Sequence, residues 1–519
     1  MQLLEIILFL MLSAVALGWV ARHFQFPYPI ALVIGGGALG FVPNLPQFPF
    51  DPQLLLVLVL PPILYQAALL TSWRDFKASI RPISLLAIGL VIATTLAVGA
   101  ALKLVVPEIP WAAAFVLGAI VSPPDAVAAT AILSRLSVPH RVVTVLEGES
   151  LVNDASGLVL YKFAVAAVLT GTFSLLDASV QFVGVSIGGV VVGVLLGRLF
   201  VFIHRHLGDT FIEVLTSLLV PYVTYIAAES LHVSGVLAVV AAGLVRGRYS
   251  PEIVSAEMRI IARSAWNLLV FLLNSLIFIL IGLRLSEVSG RLTQYTDGQL
   301  ILYGTLVSIV AIAVRFAWIY LATYLPLLFS RKARRRSPAP PGAETFIMSW
   351  CGMRGIVSLA AALALPDFLE NSQPFPQRDL IIFLTFAVIA VTLVVQGLTL
   401  APLIRELKVG TDWSGHQEEL HAKFALTKAA MAAIDEVATA EHIPEAIAER
   451  IRAEFAEKVK LDMPAGEVLR GVSDPARRLR DAAIKAERRE LIRIWRDNRI
   501  SDDVLHHLEE DLDYQESRL

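Results

Sequence analysis

The chain has little charge and almost no cysteine. Of its 519 residues, 17% are charged and a single one, Cys351, is a cysteine. One cysteine excludes an intrachain disulfide and argues against a thiolate metal site. So small a share of charge excludes an ordinary soluble protein of this length. No cleavable signal peptide is expected: Glu5 stands where a basic n-region belongs, and no small-residue cleavage site follows. The C-terminal region lacks any glycine pattern suited to a nucleotide phosphate, and no feature of the chain calls for a cofactor or for nucleic acid. The net charge of −2 says nothing about partners by itself.

What fills the chain is apolar sequence, 56% hydrophobic with a mean hydropathy of +0.68. Runs able to cross a hydrocarbon core of ~30 Å, about 20 helical residues each, recur from residue 3 to residue 403. They lie at 3–20, 28–42, 53–70, 82–106, 110–133, 141–169, 179–203, 210–231, 235–246, 265–284, 299–329, 344–365 and 379–403. Lipid satisfies no backbone polar group, so each must be helical or lie against other protein. The expected fold is an all-α polytopic membrane protein with about thirteen transmembrane helices, in contact with membrane lipid.

The loops between these spans alternate in charge. One set carries Arg22; Arg74, Lys77 and Arg81; Arg135 and Arg141; Arg205; Arg246, Arg248, Arg259 and Arg263; and the run Arg331, Lys332, Arg334, Arg335 and Arg336. The other holds little beyond Arg291 and Arg378. Positive charge collects on the cytoplasmic side, which places the N-terminus outside and the C-terminus inside. That arrangement needs an odd number of crossings, as thirteen is. The domain division expected is 1–405 in the membrane and 406–519 as a cytoplasmic helical tail. Helical periodicity in the tail is carried by Leu420, Phe424 and Ala425 and by Ile500, Val504, Leu505, Leu508 and Leu512. A helix start is expected at Ser473-Asp474-Pro475. The tail reads as a solvated regulatory or oligomer-stabilising appendage whose partner is unknown.

Ionisable groups inside spans are costly and therefore functional suspects. Glu149, Ser150, Asn153 and Asp154 fall on one helical stripe of the sixth span. Two carboxylates, an amide and a hydroxyl suit a hard cation or a proton; the alternative is a structural polar network between helices. In the fifth span, Ser122-Pro123-Pro124-Asp125 removes two backbone donors and should break the helix. Asp125 then begins the second half, as an ion ligand, as a cap on the positive dipole end, or as both. In the twelfth span, Gly352 and Gly355 flank Arg354, a permanent cation in need of a carboxylate. Pairing Arg354 with Glu149 would hold Glu149 ionised and leave Asp154 free to exchange ligands. Two interrupted spans at similar places in two blocks of helices suggest an inverted repeat that crosses near the midplane. Glu229 and His232 read as interfacial or pH-sensing groups at an outer helix end, and Arg284 as a snorkelling one. Tyr161 and Lys162 are candidates for the core network.

These residues resemble the monovalent cation:proton antiporter 1 family, the branch holding bacterial NhaP-type antiporters and animal sodium/proton exchangers. Glu149-Ser150-Leu151-Val152-Asn153-Asp154 is similar to its Glu-Ser-x-x-Asn-Asp signature, with Asp125 upstream at the family's separation. The stretch from Tyr225 to Gly235 and the sequence Gly352-Met353-Arg354-Gly355 match two further family motifs, and the resemblance covers residues 1–405. It implies that Asp154 binds the ion or proton, that Ser150 and Asp125 complete the site for a transported monovalent cation, and that Asn153 lies beside it. It also implies a stabilising Glu149–Arg354 pair and a homodimer in the plasma membrane. The chain departs from the family around Asp125, where Pro124 precedes and Ala126 follows. Ser122 and Pro124 are the hydroxyl and backbone ligands available there.

The activity implied is exchange of sodium, and of lithium as a further substrate, for protons by alternating access. One carboxylate that binds either a cation or a proton predicts electroneutral one-for-one antiport. A potassium/proton antiporter of the same fold is the main alternative; a cation channel would lack strict stoichiometry. An intramembrane protease is disfavoured because no Gly-x-Ser-Gly or Gly-x-Gly-Asp pattern occurs. No enzymatic role is expected.

Overall fold

The computed structural model describes residues 2–23, 28–40, 52–133, 136, 138–171, 175–329, 341–369, 373–409, 413–460 and 474–516. Arg135, the basic run Arg331–Arg336 and Ser473 lie outside the described residues, as do the side chains of Arg22, Arg284 and Arg291.

The described residues form helices and connections, with no β-strand among them beyond one isolated bridge between Phe368 and Pro374. The first seven helices are α1 Gln2–His23, α2 Tyr28–Gly40, α3 Pro52–Leu70, α4 Trp73–Ala78, α5 Ile80–Val105, α6 Trp111–Val121 and α7 Ala126–Leu133. There follow α8 His140–Thr170, α9 Leu175–His204, α10 Thr210–Ser230, α11 Gly235–Ile253, α12 Ala256–Arg291 and α13 Asp297–Phe329. Next come α14 Gly342–Trp350, α15 Ile356–Leu363 and α16 Arg378–Glu406. The C-terminal helices are α17 Trp413–Ala440, α18 Glu445–Lys460, α19 Asp474–Arg496 and α20 Asp502–Glu516.

Eight of the described helical stretches are long and apolar enough to cross a membrane, with α6 and α7 taken together as one. Three shorter apolar ones accompany them, Leu8–Ala21, Tyr28–Gly40 and Val57–Leu70. The protein is a multi-pass membrane protein. Both expected breaks are present: α6 stops at Val121 and α7 starts at Ala126, while α14 stops at Trp350 and α15 starts at Ile356. Pro123 and Pro124 contribute to the first, since proline cannot donate to the helical ladder and pushes its predecessor out of the α region, although Pro61 and Pro62 lie within the unbroken α3. Some boundaries differ from expectation: the helix expected over 235–246 runs on to Ile253, and the one expected to end at 284 runs to Arg291. The helix expected at 265 begins at Ala256, because Glu257, Arg259 and Arg263 end the apolar window without ending the helix.

The chain divides into two units. The first comprises Met1–Phe200, Ser217–Arg246 and Trp266–Thr411. Within it, α8 is packed by α3, α5, α6, α7, α14 and α15, so the polar stripe of α8 faces both broken helices. Its apolar surroundings include Leu117, Ile120, Leu146, Phe278, Leu359 and Phe386, all buried.

The second unit joins Asp412–Leu519 to Val201–Thr216 and Gly247–Ala265. Ile434, Ile451, Phe455, Leu479, Leu491 and Leu505 form its core. Ile500, Val504, Leu508 and Leu512 are buried there, as their spacing predicts. Leu420 and Phe424 are exposed instead; the packed face of α17 runs through Ala422, Leu426, Ala430 and Ile434. Position-by-position hydrophobicity cannot reveal that a face of small residues is the one pressed on α19. Arg259 ties this unit together. Its guanidinium donates to both carboxylate oxygens of Asp513 at 2.7 Å, and Arg488 donates to the same carboxylate at 2.8 Å. Arg259→Ala leaves Asp513 facing Arg488 alone, and removing one partner of a buried pair costs about 3 kcal/mol. The expected result is a lower unfolding midpoint of the C-terminal helices and faster protease cleavage within them. An unchanged cleavage rate would refute the assignment.

Candidate functional site

The two chain breaks lie against each other, and complementary charges hold their free ends. A helix end leaves backbone N–H or C=O groups without partners, and its dipole favours an anion at the first end and a cation at the last. Asp125 meets the first need. Its carboxylate accepts from Val127 N at 2.8 Å and from the backbone N–H of Ile356, in the first turns of α7 and α15. Its own N–H donates to Met353 O at 2.7 Å, stitching one break to the other. Arg354 meets the second need. Its Nε donates to Val121 O at 2.9 Å, where α6 ends, and its Nη1 donates to Gly352 O. The backbone N–H of Arg354 is held at 3.1 Å by Thr392 Oγ1, in the π-helical stretch Thr392–Gln396 of α16.

A side chain at position 355 has no room, because its Cβ would land on the Asp125 carboxylate. Gly355→Ala is therefore expected to remove most transport while the protein still inserts. A Cβ at Gly184 in α9 meets nothing, so Gly184→Ala should transport like the parent. Equal activity of the two variants would contradict the geometry.

The stripe on α8 is brought to this crossing. Asn153 Nδ2 donates to Pro124 O at 3.0 Å, and Ser150 Oγ accepts from Ala126 N at 3.2 Å. Asn153 is fully buried and its Oδ1 has no partner within the described structure. Asp154 is 6% exposed and has neither a hydrogen bond nor an ion pair among the described residues. Its carboxylate lies within electrostatic range of Asp125. Of the two ligands considered near Asp125, Ser122 is fully buried and donates to Ala119 O at 3.0 Å, so that hydroxyl serves its own helix. Pro124 presents its carbonyl to Asn153.

One pairing differs from expectation. Glu149 is paired with Arg315 of α13 and not with Arg354: Nη1 donates to Oε1 at 2.5 Å and Nη2 to Oε2 at 2.9 Å. Arg315 and Glu149 are 0% and 1% exposed at their side chains. Arg315 also donates to Met348 O near the end of α14, from Nη2 at 3.1 Å and from Nε at 3.3 Å. The physical reason is reach: Arg354 is spent on the carbonyl ends of the breaks, whereas α13 brings a second guanidinium across to α8. A signal was available. Arg315 is a lone charge within the apolar run of the 299–329 span, and the rule that flags Arg354 flags it equally. Lys162 turns away from this network and pairs with Glu229 at 3.3 Å on an exposed face, where Glu229 also accepts from Gly235 N.

A crossing of two half-helices, with N–H ends on one acid and carbonyl ends on one guanidinium, leaves a second acid uncompensated. Such a group can hold a proton or a small cation, and either removes the cost of an isolated buried charge.

Comparison with known proteins agrees with this reading. Residues 9–406 match the family described as sodium/hydrogen exchanger, transmembrane. An uncharacterized Na(+)/H(+) exchanger of Mycobacterium tuberculosis is 33% identical over 99% of this chain and 96% of its own length. A sodium, potassium, lithium and rubidium/H(+) antiporter of Bacillus subtilis is 33% identical over 97% of this chain and 76% of its own. In fold, the chain is similar to the sodium proton antiporter MjNhaP1 from Methanocaldococcus jannaschii, with a TM-score of 0.61. That match covers 78% of this chain and 99% of the other at 21% identity.

Proposed function

Because the chain belongs to the sodium/hydrogen exchanger family, we propose that it exchanges sodium for protons across the plasma membrane, one for one and without net charge movement. One observation carries this reading: Asp154 is buried, has no partner among the described residues, and stands beside the crossing of the two broken helices. Ser150, Asp125 and Asn153 complete the binding site around it. Glu149 is neutralised by Arg315, and the Asp125 carboxylate is held by backbone N–H groups of both broken helices. That leaves a single carboxylate to be neutralised, by one proton or by one monovalent cation. Binding of either is the condition for the loaded site to move, so the two fluxes are coupled without any cofactor.

Thirteen crossings, an external N-terminus and an internal C-terminus fit the alternation of loop charge. An inverted repeat fits the paired breaks, since Asp125 and Arg354 each hold the free ends of both helices. A homodimer and a role in pH homeostasis extend the same reading. A second cation choice has specific support: the Bacillus subtilis relative is named for sodium, potassium, lithium and rubidium, so potassium is the competing substrate. The test is decay of an imposed pH gradient in proteoliposomes on addition of Na⁺, Li⁺, K⁺ or Rb⁺, with and without a clamped potential. Equal rates in both conditions are expected, fastest with Na⁺. Rates that change with the clamp would overturn one-for-one exchange.

A further inference from the structure

Near the ion site, on helices that carry none of its acids, Tyr28 and the buried Asn274 bond across two helices and leave the amide oxygen unused. Tyr28 opens α2 and packs its ring against Phe271 of α12, with centroids 5.8 Å apart. One turn further along α12, Asn274 Nδ2 donates to Tyr28 Oη at 3.4 Å. Phe271 and Asn274 share a helix face at i, i+3, so α12 presents an aromatic brace and an amide to the same phenol. Asn274 is 1% exposed, and its Oδ1 has no partner within the described structure. A buried amide oxygen left unbonded in an apolar span is costly unless something polar visits it.

The position of this pair gives the visitor. Asp125 is held by the carbonyl of Met353, and both Met353 and Ile30, two residues beyond Tyr28, border Gly397. The start of α2 and the Met353 side chain therefore meet at Gly397, and the Tyr28 phenol lies within electrostatic range of the Asp125 carboxylate. Gln396, next to Gly397, adds an amide with neither atom partnered in the described structure. The register is fixed from below, where Gly36 of α2 sits directly against the backbone of Ile279 of α12.

We propose that Tyr28 and Asn274 form a neutral oxygen threshold on the cation's route to Asp125 and Asp154, replacing part of its water shell and setting which monovalent cations pass. Hard cations take phenolic, amide and carbonyl oxygens as ligands. A neutral pair strips water without trapping the ion, which a third carboxylate would do. These are specificity-determining residues, and the inference rests on the antiport reading.

The experiment measures initial rates against concentration of Na⁺, K⁺, Li⁺ and Rb⁺ in proteoliposomes of the full-length parent, Tyr28→Phe and Asn274→Leu. Each variant loses one oxygen or its hydrogen-bonding capacity. The apparent KM for the preferred cation is expected to rise roughly three- to tenfold, the worth of about one hydrogen bond or ligand. The order of cation preference should change while kcat stays within about twofold of the parent. Asn274→Asp, which adds charge at the same place, should lower KM and slow turnover. Tyr28→Phe keeps the ring on Phe271, so it answers the question even if Asn274→Leu accumulates poorly. Unchanged KM and cation order in Tyr28→Phe would overturn the inference, and so would a fall in kcat at constant KM. A parent protein that exchanges no cation for protons would sink the antiport reading itself, an outcome visible before any variant is compared.

Discussion

Asp154→Asn is expected to bring exchange to background while the protein folds as well as, or better than, its parent. The two halves of that result have one cause. Asp154 is almost fully enclosed, and none of the described side chains or backbone groups bonds to it. An amide of the same shape cannot gain or lose a proton and cannot neutralise a cation, so the exchange step disappears. Removing a buried ionisable group that has no partner relieves a burial cost, so the unfolding midpoint in detergent should hold or rise. Asp125 is different in kind. Its carboxylate accepts backbone N–H groups from two helices, and Asp125→Asn should lower stability as well as transport. A folded Asp154→Asn protein with normal cation-driven proton flux would refute the assignment.

Arg315→Gln is expected to deplete folded protein from the membrane, because it leaves Glu149 ionised and buried without its cation. Breaking a buried pair from one side costs roughly 3–5 kcal/mol, a large fraction of a typical total stability. Glu149→Gln strands Arg315 in the same way. Removing both charges together is far cheaper, so Glu149→Gln combined with Arg315→Gln should recover most of the lost protein. Combining Glu149→Gln with Arg354→Gln should not, because Arg354 serves the carbonyl ends at Val121 and Gly352. Fluorescence-detected size exclusion of the four proteins measures this. Rescue by Arg354→Gln and not by Arg315→Gln would restore the pairing first expected from sequence.

Much of the membrane unit was legible because two rules act on single residues. Two prolines do not by themselves end a helix, since Pro61 and Pro62 lie inside α3; it is Pro123-Pro124 followed by the charged Asp125, and Arg354 between Gly352 and Gly355, that allowed both breaks to be placed. The stripe of Glu149, Ser150, Asn153 and Asp154 was legible because helical spacing alone puts those residues together. Partner choice was not. Whether Arg315 or Arg354 reaches Glu149 depends on how α13 and α14 lie against α8, and spacing within one helix carries no information about its neighbours. The same limit hid Tyr28 and Asn274, a tyrosine and an asparagine 246 residues apart, neither conspicuous in its own span. The early start of α12 escaped for another reason: hydropathy marks where lipid ends, and Arg259 belongs to a helix that continues past it.

Under the proposed antiport, a proton leaving drives a cation in. Uptake of labelled Na⁺ into proteoliposomes with an acid interior, compared with the same vesicles at equal pH on both sides, tests it most directly. Concentrative Na⁺ uptake that requires the acid interior, survives a clamped potential and is absent with Asp154→Asn is the result expected. Uptake that proceeds equally without the pH difference, or that Asp154→Asn retains, would contradict it.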